Sequence, residues 1–369
     1  MDGEPRLRRL RPWLIETFGR PVHRVALDAG SSCPNRDGSR GRGGCTYCDV
    51  EGSGTGALRA GLDLARQLEA GIRRVARRDP SFGVIAYLQS YSNTYVEEGR
   101  LDEILAAIEP WVGHPVVCVS LATRPDTLPQ TALVRLARLA ERVPVWIELG
   151  LETADDRILR DTNRLHTVDE FREAVRRVHV HGLGSVGHAI LGLPGDGREG
   201  ARRTAGVLAE TAVGGVKVHH LMVLERTQLA AAWRRGEIET LDQDTYVQWL
   251  ADFVERLLPE QVLHRLNGDA PPEKLLAPLW KESKHAIVPK LRAELQSRGT
   301  HQGALTPPRP LPGTAPRPTH RRMSARSSEP SVPTDPEAPA LRLDRADIPA
   351  GAPGPRPRGA AGASGRHSE

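Results

Sequence analysis

The stretch from Cys33 to Cys48, which reads CPNRDGSRGRGGCTYC, decides how we interpret this sequence. It holds three of the four cysteines, spaced C-x11-C-x2-C, in a loop rich in Gly and Arg. Three converging thiolates leave a metal centre one ligand short of the four that normally close a structural zinc site. An iron–sulfur cluster held by three Cys fits the same count, because its fourth iron is free to bind a small molecule. A zinc site closed by a His is the alternative.

Cysteine use and hydropathy indicate the compartment. Clustered cysteines in a chain without a signal sequence are typical of metal binding in a reducing environment rather than of a disulfide framework. Residues 1–20 are rich in Arg but have no apolar core, and no apolar run approaches the length of a membrane span. We therefore expect a cytoplasmic protein that does not bind membranes. The sequence carries no signal for its oligomeric state.

The composition changes abruptly near residue 302. Residues 302–369 are dominated by Pro, Ala, Arg, Gly and Ser, and hold ten Arg, no Lys and six acidic residues. This segment cannot bury enough apolar surface to offset the entropy of ordering it, so we expect it to be disordered. Its charge of +4 accounts for most of the total of +5, so the folded part is not a strongly basic nucleic-acid binder. The expected regions are a lead-in (1–22), a barrel with a C-terminal helical extension (23–301) and the tail (302–369).

Strand-like and helix-like segments alternate from residue 23 onward. The strand-like runs are nearly continuous in apolar residues, as expected for strands that are covered on both faces. Such alternation is typical of βαβ units and predicts an α/β fold, a partial or full (β/α) barrel. Active sites of these barrels lie at the carboxyl ends of the strands, and here every run ends in polar or Gly-rich residues. The runs are 23–30, 82–90, 116–123, 145–152, 185–194, 216–224 and 262–267.

Several further motifs accompany the cysteines. They are SCPNRDG (32–38), GRGGCTYC (41–48), TRPD (123–126), ELGLETA (148–154), GLPG (192–195) and APLW (277–280). Together they resemble the radical S-adenosylmethionine (SAM) superfamily, and within it the poorly characterised YhcC-like family. The core of that family is similar to the Elongator catalytic subunit and to oxygen-independent coproporphyrinogen oxidase. The gap between the first two cysteines is longer than the three residues of the commonest motif in the superfamily.

The resemblance implies a [4Fe–4S] cluster bound by Cys33, Cys45 and Cys48, with SAM chelating the fourth iron. One electron then cleaves SAM to methionine and a 5′-deoxyadenosyl radical, which abstracts hydrogen from a substrate. The cofactors carry this chemistry, while the protein positions them and excludes water. An electron donor such as flavodoxin or ferredoxin is implied as a partner. The substrate cannot be read from the sequence, although the Elongator-like core points toward RNA.

The resemblance also implies a set of SAM-binding residues. Tyr47 would lie against the adenine, and Gln89 and Ser90 would contact the methionine amino group. Glu152 would accept hydrogen bonds from the ribose hydroxyls, and Arg164 would bind the SAM carboxylate. Glu152 and Arg164 could instead form a purely structural ion pair.

Three histidines and one further cysteine complete the candidates. His188, His219 and His264 are weak catalytic candidates because they are expected together on one rim. Cys118 lies inside an apolar run and is expected to be a buried core thiol. One departure from the YhcC-like pattern is Leu165, where the family usually has Gly.

A second function class stays open at this stage. The Arg-rich loop (Arg36, Arg40 and Arg42) and the basic tail would also suit a metal-stabilised RNA-binding module without radical chemistry. The colour of anaerobically purified protein separates the two classes, because an iron–sulfur cluster is brown and zinc is colourless.

Overall fold

The computed structural model describes residues 7–49, 57–58, 61–89 and 91–312, and a sheet of seven parallel strands lies at its centre. The strand order is β1-β2-β3-β4-β5-β6-β8, which is the sequential order of a βαβ barrel. The edge strands β1 and β8 are not paired with each other in this order, so the sheet is a curled half-barrel, as the strand pattern predicted. The strands are β1 Val22–Leu27, β2 Gly83–Leu88, β3 Val116–Thr123, β4 Val145–Glu152, β5 Gly184–Leu191, β6 Gly215–His220, β7 Val223–Leu224, β8 Val262–Arg265 and β9 Leu275–Ala277.

Most of the helices pack on the outer face of this sheet and bury the main apolar core against it. Their inward faces follow the helical period of the sequence, for example Leu68, Ile72 and Val75 on the third helix. Among the described residues, no helix is long and apolar enough to cross a membrane. The helices are α1 Leu10–Phe18, α2 Pro34–Asp37, α3 Leu64–Ala76, α4 Arg100–Ile108, α5 Gln130–Ala140, α6 Asp156–Asp161, α7 Val168–Val180, α8 Gly197–Glu210, α9 Gln228–Arg234, α10 Gln243–Glu255 and α11 Ile287–Ser297.

The inner face of the sheet forms a second, smaller apolar cluster. Leu10 and Leu14 of α1 pack there against residues that include Ile85, Cys118 and Trp146. Helix α1 therefore closes one end of the half-barrel. Cys118 is fully buried in this cluster and its Sγ lies 3.7 Å from the carbonyl oxygen of Val119, so it is a core thiol, as expected.

Most strands are shorter than the apolar runs in the sequence, because the last residues of those runs belong to the loops that follow. The sixth run divides into two strands, since β6 ends at His220 and β7 pairs antiparallel with β9. Two runs, those of β3 and β4, match their strands residue for residue.

Ordered contacts continue past residue 301, where the composition changes. The Gln302 side chain donates to the carbonyl oxygens of Leu258 and Gln261 at 3.1 and 2.8 Å and accepts from the Arg8 backbone N–H at 2.9 Å. Gln302 is buried, so the beginning of the polar segment is held by hydrogen bonds rather than by an apolar face. Most of the expected disordered tail, residues 313–369, lies outside the described residues, as do residues 1–6 of the lead-in.

Candidate functional site

The loop after β1 carries the three clustered cysteines. Cys33 directly precedes α2, and its carbonyl oxygen accepts from the backbone N–H groups of Arg36 and Asp37 at 2.8 and 3.3 Å. Further along, the N–H of Cys48 donates to the carbonyl oxygen of Cys45 at 2.9 Å, which closes a tight turn. All three thiols are free; Cys45 is buried, and the other two are half-buried. The loop thus presents three thiols from one short segment at the carboxyl end of a strand.

Two side chains of the same loop donate hydrogen bonds to these sulfurs. Asn35 Nδ2 lies 3.6 Å from Cys45 Sγ, and Arg36 Nη2 lies 3.4 Å from Cys48 Sγ. Burial raises the pKa of Cys48, and the neighbouring Cys45 adds to this, while Arg36 acts in the opposite direction. N–H donors aimed at sulfur stabilise thiolates and tune the potential of an iron–sulfur cluster. Both donors therefore suit sulfurs that carry negative charge.

The spacing of the thiols bears on the zinc alternative. Within the part of the chain that the structure describes, no three His, Cys, Asp or Glu side chains lie close enough together to hold one metal ion. A structural zinc ion needs four such ligands at about 2.0–2.3 Å. A closed zinc site would therefore need these side chains to move closer together.

A strap between α6 and α7 fixes this loop from the other side. Asn163 and Leu165 both have positive φ angles, 54° and 64°, so the strap turns sharply around Arg164. The Asn163 side chain donates to the carbonyl oxygens of Arg42 and Gly44 at 3.0 and 2.7 Å. Leu165 occupies the left-handed conformation that favours Gly, which agrees with the Gly expected at this position from the family resemblance.

The strap brings Arg164 to the end of β4. Arg164 Nη2 lies 3.3 Å from Glu152 Oε1, and the same Nη2 donates to the carbonyl oxygen of Gly150 at 3.2 Å. A Cβ added at Gly150 would overlap both charged groups where they now lie, so the missing side chain leaves room for this pair. Burial alone would lower the pKa of Arg164, but Glu152 outweighs it, with Tyr47 and Cys45 contributing, and the pKa is raised.

Tyr47 joins the same group from the cysteine loop. Burial raises the pKa of its hydroxyl well above the ordinary value, and Cys45 and Glu152 add to the effect. Among the described residues, the Tyr47 hydroxyl and Arg164 Nε are buried without a hydrogen-bond partner. Buried polar atoms are rarely left unpaired, so these atoms fit a site that a polar ligand completes. Together with the three thiols, Tyr47, Glu152 and Arg164 form a group suited to a cluster and a charged cofactor.

The expected contacts of the methionine amino group lie at the end of β2. Gln89 directly follows this strand and is half-buried, and its N–H donates to the carbonyl oxygen of Leu27 at 3.4 Å. It therefore stands next to the strand that leads into the cysteine loop. Ser90 lies outside the described residues.

The structure brings two of the three candidate histidines together. His188 Nε2 lies 3.0 Å from Glu148 Oε2, and the His188 and His219 rings stack with centroids 6.3 Å apart. Burial lowers the pKa of both imidazoles, and for His188 the hydrogen bond with Glu148 acts in the opposite direction.

His264 lies elsewhere, and the expectation that it shares the rim is wrong. It lines a cavity of about 330 Å³ together with Gly184 and Gly215, the first residues of β5 and β6. Its ring packs on Trp146 with centroids 5.2 Å apart. Because β8 is short and pairs with the start of β6, His264 stands at the amino ends of the strands, away from the cysteines.

Sequence reasoning missed a buried polar network inside the half-barrel. Glu148 accepts from the Tyr87 hydroxyl at 3.0 Å, from the Ser120 hydroxyl at 2.8 Å and from the Lys217 ammonium, and Lys217 also donates to Tyr87 at 2.9 Å. Burial would raise the pKa of Glu148, but Lys217 and His188 outweigh it and hold the pKa well below its usual range. A lone Glu and a lone Lys inside apolar strand runs were the available signal.

Comparison with known proteins identifies the chain's relatives. Residues 36–208 match the family model of the radical SAM superfamily, and residues 213–297 match the radical SAM C-terminal domain. The chain is 37% identical over 306 residues to the uncharacterised protein YtqA of Bacillus subtilis, which covers 82% of this chain and 93% of YtqA. It is 33% identical over 298 residues to YhcC of Escherichia coli, which covers 80% of this chain and 94% of YhcC.

Among solved structures, the archaeal Elp3 of Methanocaldococcus infernus is similar with a TM-score of 0.60. The match covers 76% of this chain and 64% of that chain at 17% identity, so it shows a shared fold.

Proposed function

The chain belongs to the radical SAM superfamily, in the family that contains YtqA and YhcC, and we propose that it cleaves SAM reductively to abstract hydrogen from a substrate. It is an enzyme, and its cofactors are those of the superfamily, a [4Fe–4S] cluster and SAM. When bound, they supply a 5′-deoxyadenosyl radical, the species that takes a hydrogen atom from substrate. The chain's own residues hold, orient and shield these groups.

We propose Cys33, Cys45 and Cys48 as the cluster ligands. The observation that carries this proposal is the meeting of the cysteine loop with Glu152 and Arg164, because an ion pair at the edge of a cluster loop is suited to SAM. Asn35 and Arg36 are the hydrogen-bond donors that would stabilise the sulfurs. Each thiol belongs to the single loop after β1.

SAM positioning is assigned to the residues around the loop. Arg164 presents a guanidinium fork for the carboxylate of SAM, and Glu152 accepts from the ribose hydroxyls. Tyr47 lies between the two last cysteines and covers the adenine, while Gln89, with Ser90, contacts the amino group. Support comes from the electrostatic contact of Tyr47 with Glu152 and Arg164 and from the unpartnered buried atoms described above.

The reductant and the substrate are further parts of the proposal. The electron comes from a small donor of the flavodoxin or ferredoxin class, and the half-buried Cys33 and Cys48 leave the loop open to its approach. RNA is the proposed substrate class, on the resemblance of the core to the Elongator catalytic subunit. Mass spectrometry of RNA and of RNA-free extract fractions after anaerobic turnover decides between RNA and other substrates.

The alternative of an RNA-binding module has less support. Its Arg-rich loop is largely occupied by internal contacts, since Arg40 pairs with Asp126 at 3.2 Å and with Glu170 at 2.5 Å. Arg36 is directed at Cys48. Arg40 and Arg42 are exposed residues and Arg36 is half-buried, but Arg36 and Arg40 already have partners within the fold.

The cluster assignment is tested by iron and sulfide analysis after anaerobic reconstitution. Replacing Cys33, Cys45 and Cys48 together with Ala should abolish bound iron and sulfide. Cys118→Ala is the matched control, because that thiol is buried in the apolar cluster and should leave the iron content unchanged. If the triple variant bound as much iron as the wild type, the cluster ligands would have to be other residues.

A further inference from the structure

A layer of polar side chains lies inside the half-barrel, below the proposed SAM residues. We call it the interior belt, and it consists of Arg24, Tyr87, Ser120, Glu148, His188, Lys217, His219 and Arg265. Glu148 faces the interior from β4, and Gly150, two residues further on, has no side chain. The pairing of β4 with β5 shifts register between Gly150 and Glu152, and the Glu152 carboxylate lies over Gly150 at the rim. The belt therefore lies directly beneath the rim where the cofactor residues meet.

The charges of the belt do not cancel. Glu148 is the one carboxylate among the belt residues, and Lys217 neutralises it. Glu152 at the rim also acts on His188, but it is paired with Arg164. Arg24 contacts the Tyr87 ring, 5.7 Å from its centroid, and lies 3.4 Å from His264 Nδ1. Neither Arg24 nor Arg265 forms an ion pair with any residue that the structure describes. Two positive charges are left without a counter-charge.

A backbone irregularity directs Arg265 into the interior. The register of β6 and β8 shifts between Val216 and Lys217, so that Lys217 pairs with Arg265 and His264 is an extra residue. Because Lys217 faces the interior, its partner Arg265 does so as well, and the electrostatic influence of Arg265 on Lys217 and His219 agrees with this. Bulges of this kind re-aim side chains and are common beside active sites.

The positive charges of the belt also lower the pKa values of the groups around them. Burial lowers the pKa of His219, and Arg265 lowers it further. Burial also lowers the pKa of Lys217 to about 8, with Arg24 and Arg265 acting in the same direction against Glu148. Arg24, His219 and Arg265 are only half-buried, so the belt is open to a ligand.

We propose that the interior belt binds an anionic group of the substrate, a carboxylate or a phosphate, between Arg24, Lys217 and Arg265. This inference rests on the proposed function and adds the chemical class of the substrate's anchoring group. Uncompensated cations that are partly desolvated gain more from a bound anion than fully solvated ones do. An anion held in the belt would leave the rest of the substrate directed toward the rim.

The test is calorimetric titration of the reconstituted full chain, saturated with SAM, with inorganic phosphate and separately with acetate. Saturation with SAM keeps Arg164 occupied, so that the probes report on the belt. We expect one of the two anions to bind, and its identity separates the phosphate class from the carboxylate class. Arg265→Met should weaken that binding about tenfold or more, the loss of one charge-assisted hydrogen bond. Arg265→Lys should restore most of it.

Arg66→Met is the matched control, because Arg66 is exposed on α3 and, among the described residues, forms an ion pair with Asp63 alone. It should bind the anion as the wild type does. Equal affinity in Arg265→Met and Arg66→Met would overturn the proposal, and so would the absence of binding of either anion to the wild type. The titration needs no turnover. The proposed function would instead be contradicted if the wild type bound no iron or did not cleave SAM, so failure of one can be told from failure of the other.

Discussion

Arg164 connects three parts of the molecule at the scale of single residues. Its carbonyl oxygen accepts from Asn35 of the cysteine loop at 3.1 Å and from Arg124 after β3 at 2.8 Å, and its side chain reaches Glu152 at the end of β4. The side chains of Arg164 and Glu152 are only 11% and 13% exposed. A partly desolvated pair of this kind is expensive to maintain for stability alone, which favours a role in binding.

Arg164→Ala should therefore weaken SAM binding to the reconstituted protein about tenfold or more, because one charge-assisted contact with the carboxylate is lost. Iron and sulfide content should stay at the wild-type level, since no thiol is changed. Calorimetry with SAM measures the affinity. The control is Arg172→Ala, which removes an exposed arginine paired with Glu210 and should not change it. Unchanged affinity in Arg164→Ala would leave only a structural ion pair.

At the scale of elements, one carboxylate links three helices on the outer face. Asp252 of α10 accepts from Arg198 and Arg202 of α8 at 2.6 and 2.8 Å and from Arg298, which follows α11, at 2.7 Å. Burial would raise the pKa of Asp252, but the three arginines outweigh it and hold the pKa well below its usual range. A carboxyl with a lowered pKa stabilises the fold above its ordinary pKa and loses that contribution as pH falls.

Asp252→Asn should lower the free energy of unfolding by about 1–2 kcal/mol at pH 7, since its partners are partly exposed and screened. The difference from the wild type should shrink as the pH falls below about 4, because the wild-type carboxyl then takes up a proton on unfolding. Urea denaturation at pH 7 and at pH 3 measures both values. Glu103→Gln, which removes an exposed partner of Arg100 on α4, is the control and should show no such dependence. A difference that grows toward low pH would contradict this interpretation.

The sequence predicted the strands and helices better than the buried contacts between them. Apolar runs with polar ends indicated seven parallel strands, and the cysteine spacing indicated the loop after β1, because both are local patterns. The pairing of Glu148 with Lys217 joins residues 69 apart in sequence, on β4 and β6, and no local pattern shows that they face each other. The sequence also predicted His264 at the carboxyl ends of the strands, which is wrong for a related reason. The bulge in β8 and its short pairing depend on the neighbouring strand β6, and no local pattern shows them.

At the scale of the whole molecule, the segment after α11 belongs in part to the folded domain. Besides the hydrogen bonds of Gln302, the N–H groups of Gly303 and Leu305 donate to the carbonyl oxygens of Val254 and Glu255 at 3.0 and 2.9 Å. This segment therefore covers the end of α10. Composition alone placed the boundary earlier, because these contacts are made by backbone and amide groups rather than by apolar side chains.

A chain that ends at residue 312 should keep the iron content and SAM cleavage of the full protein. A chain that ends at residue 301 should lose about 2–4 kcal/mol of its free energy of unfolding, because several partly buried hydrogen bonds are removed at about 0.5–1.5 kcal/mol each. Urea denaturation of the two truncated proteins measures the difference. Equal stability of both would show that residues 302–312 contribute nothing to the fold.

The central claim is that this loop and rim carry out radical SAM chemistry, and reductive cleavage of SAM tests it most directly. The anaerobically reconstituted full chain is mixed with SAM and dithionite, and 5′-deoxyadenosine and methionine are measured by mass spectrometry. Wild type and Cys118→Ala should form both products, and Cys45→Ala should form neither. Wild-type protein that holds its cluster but forms no 5′-deoxyadenosine, or Cys45→Ala protein that forms it at the wild-type rate, would contradict the account.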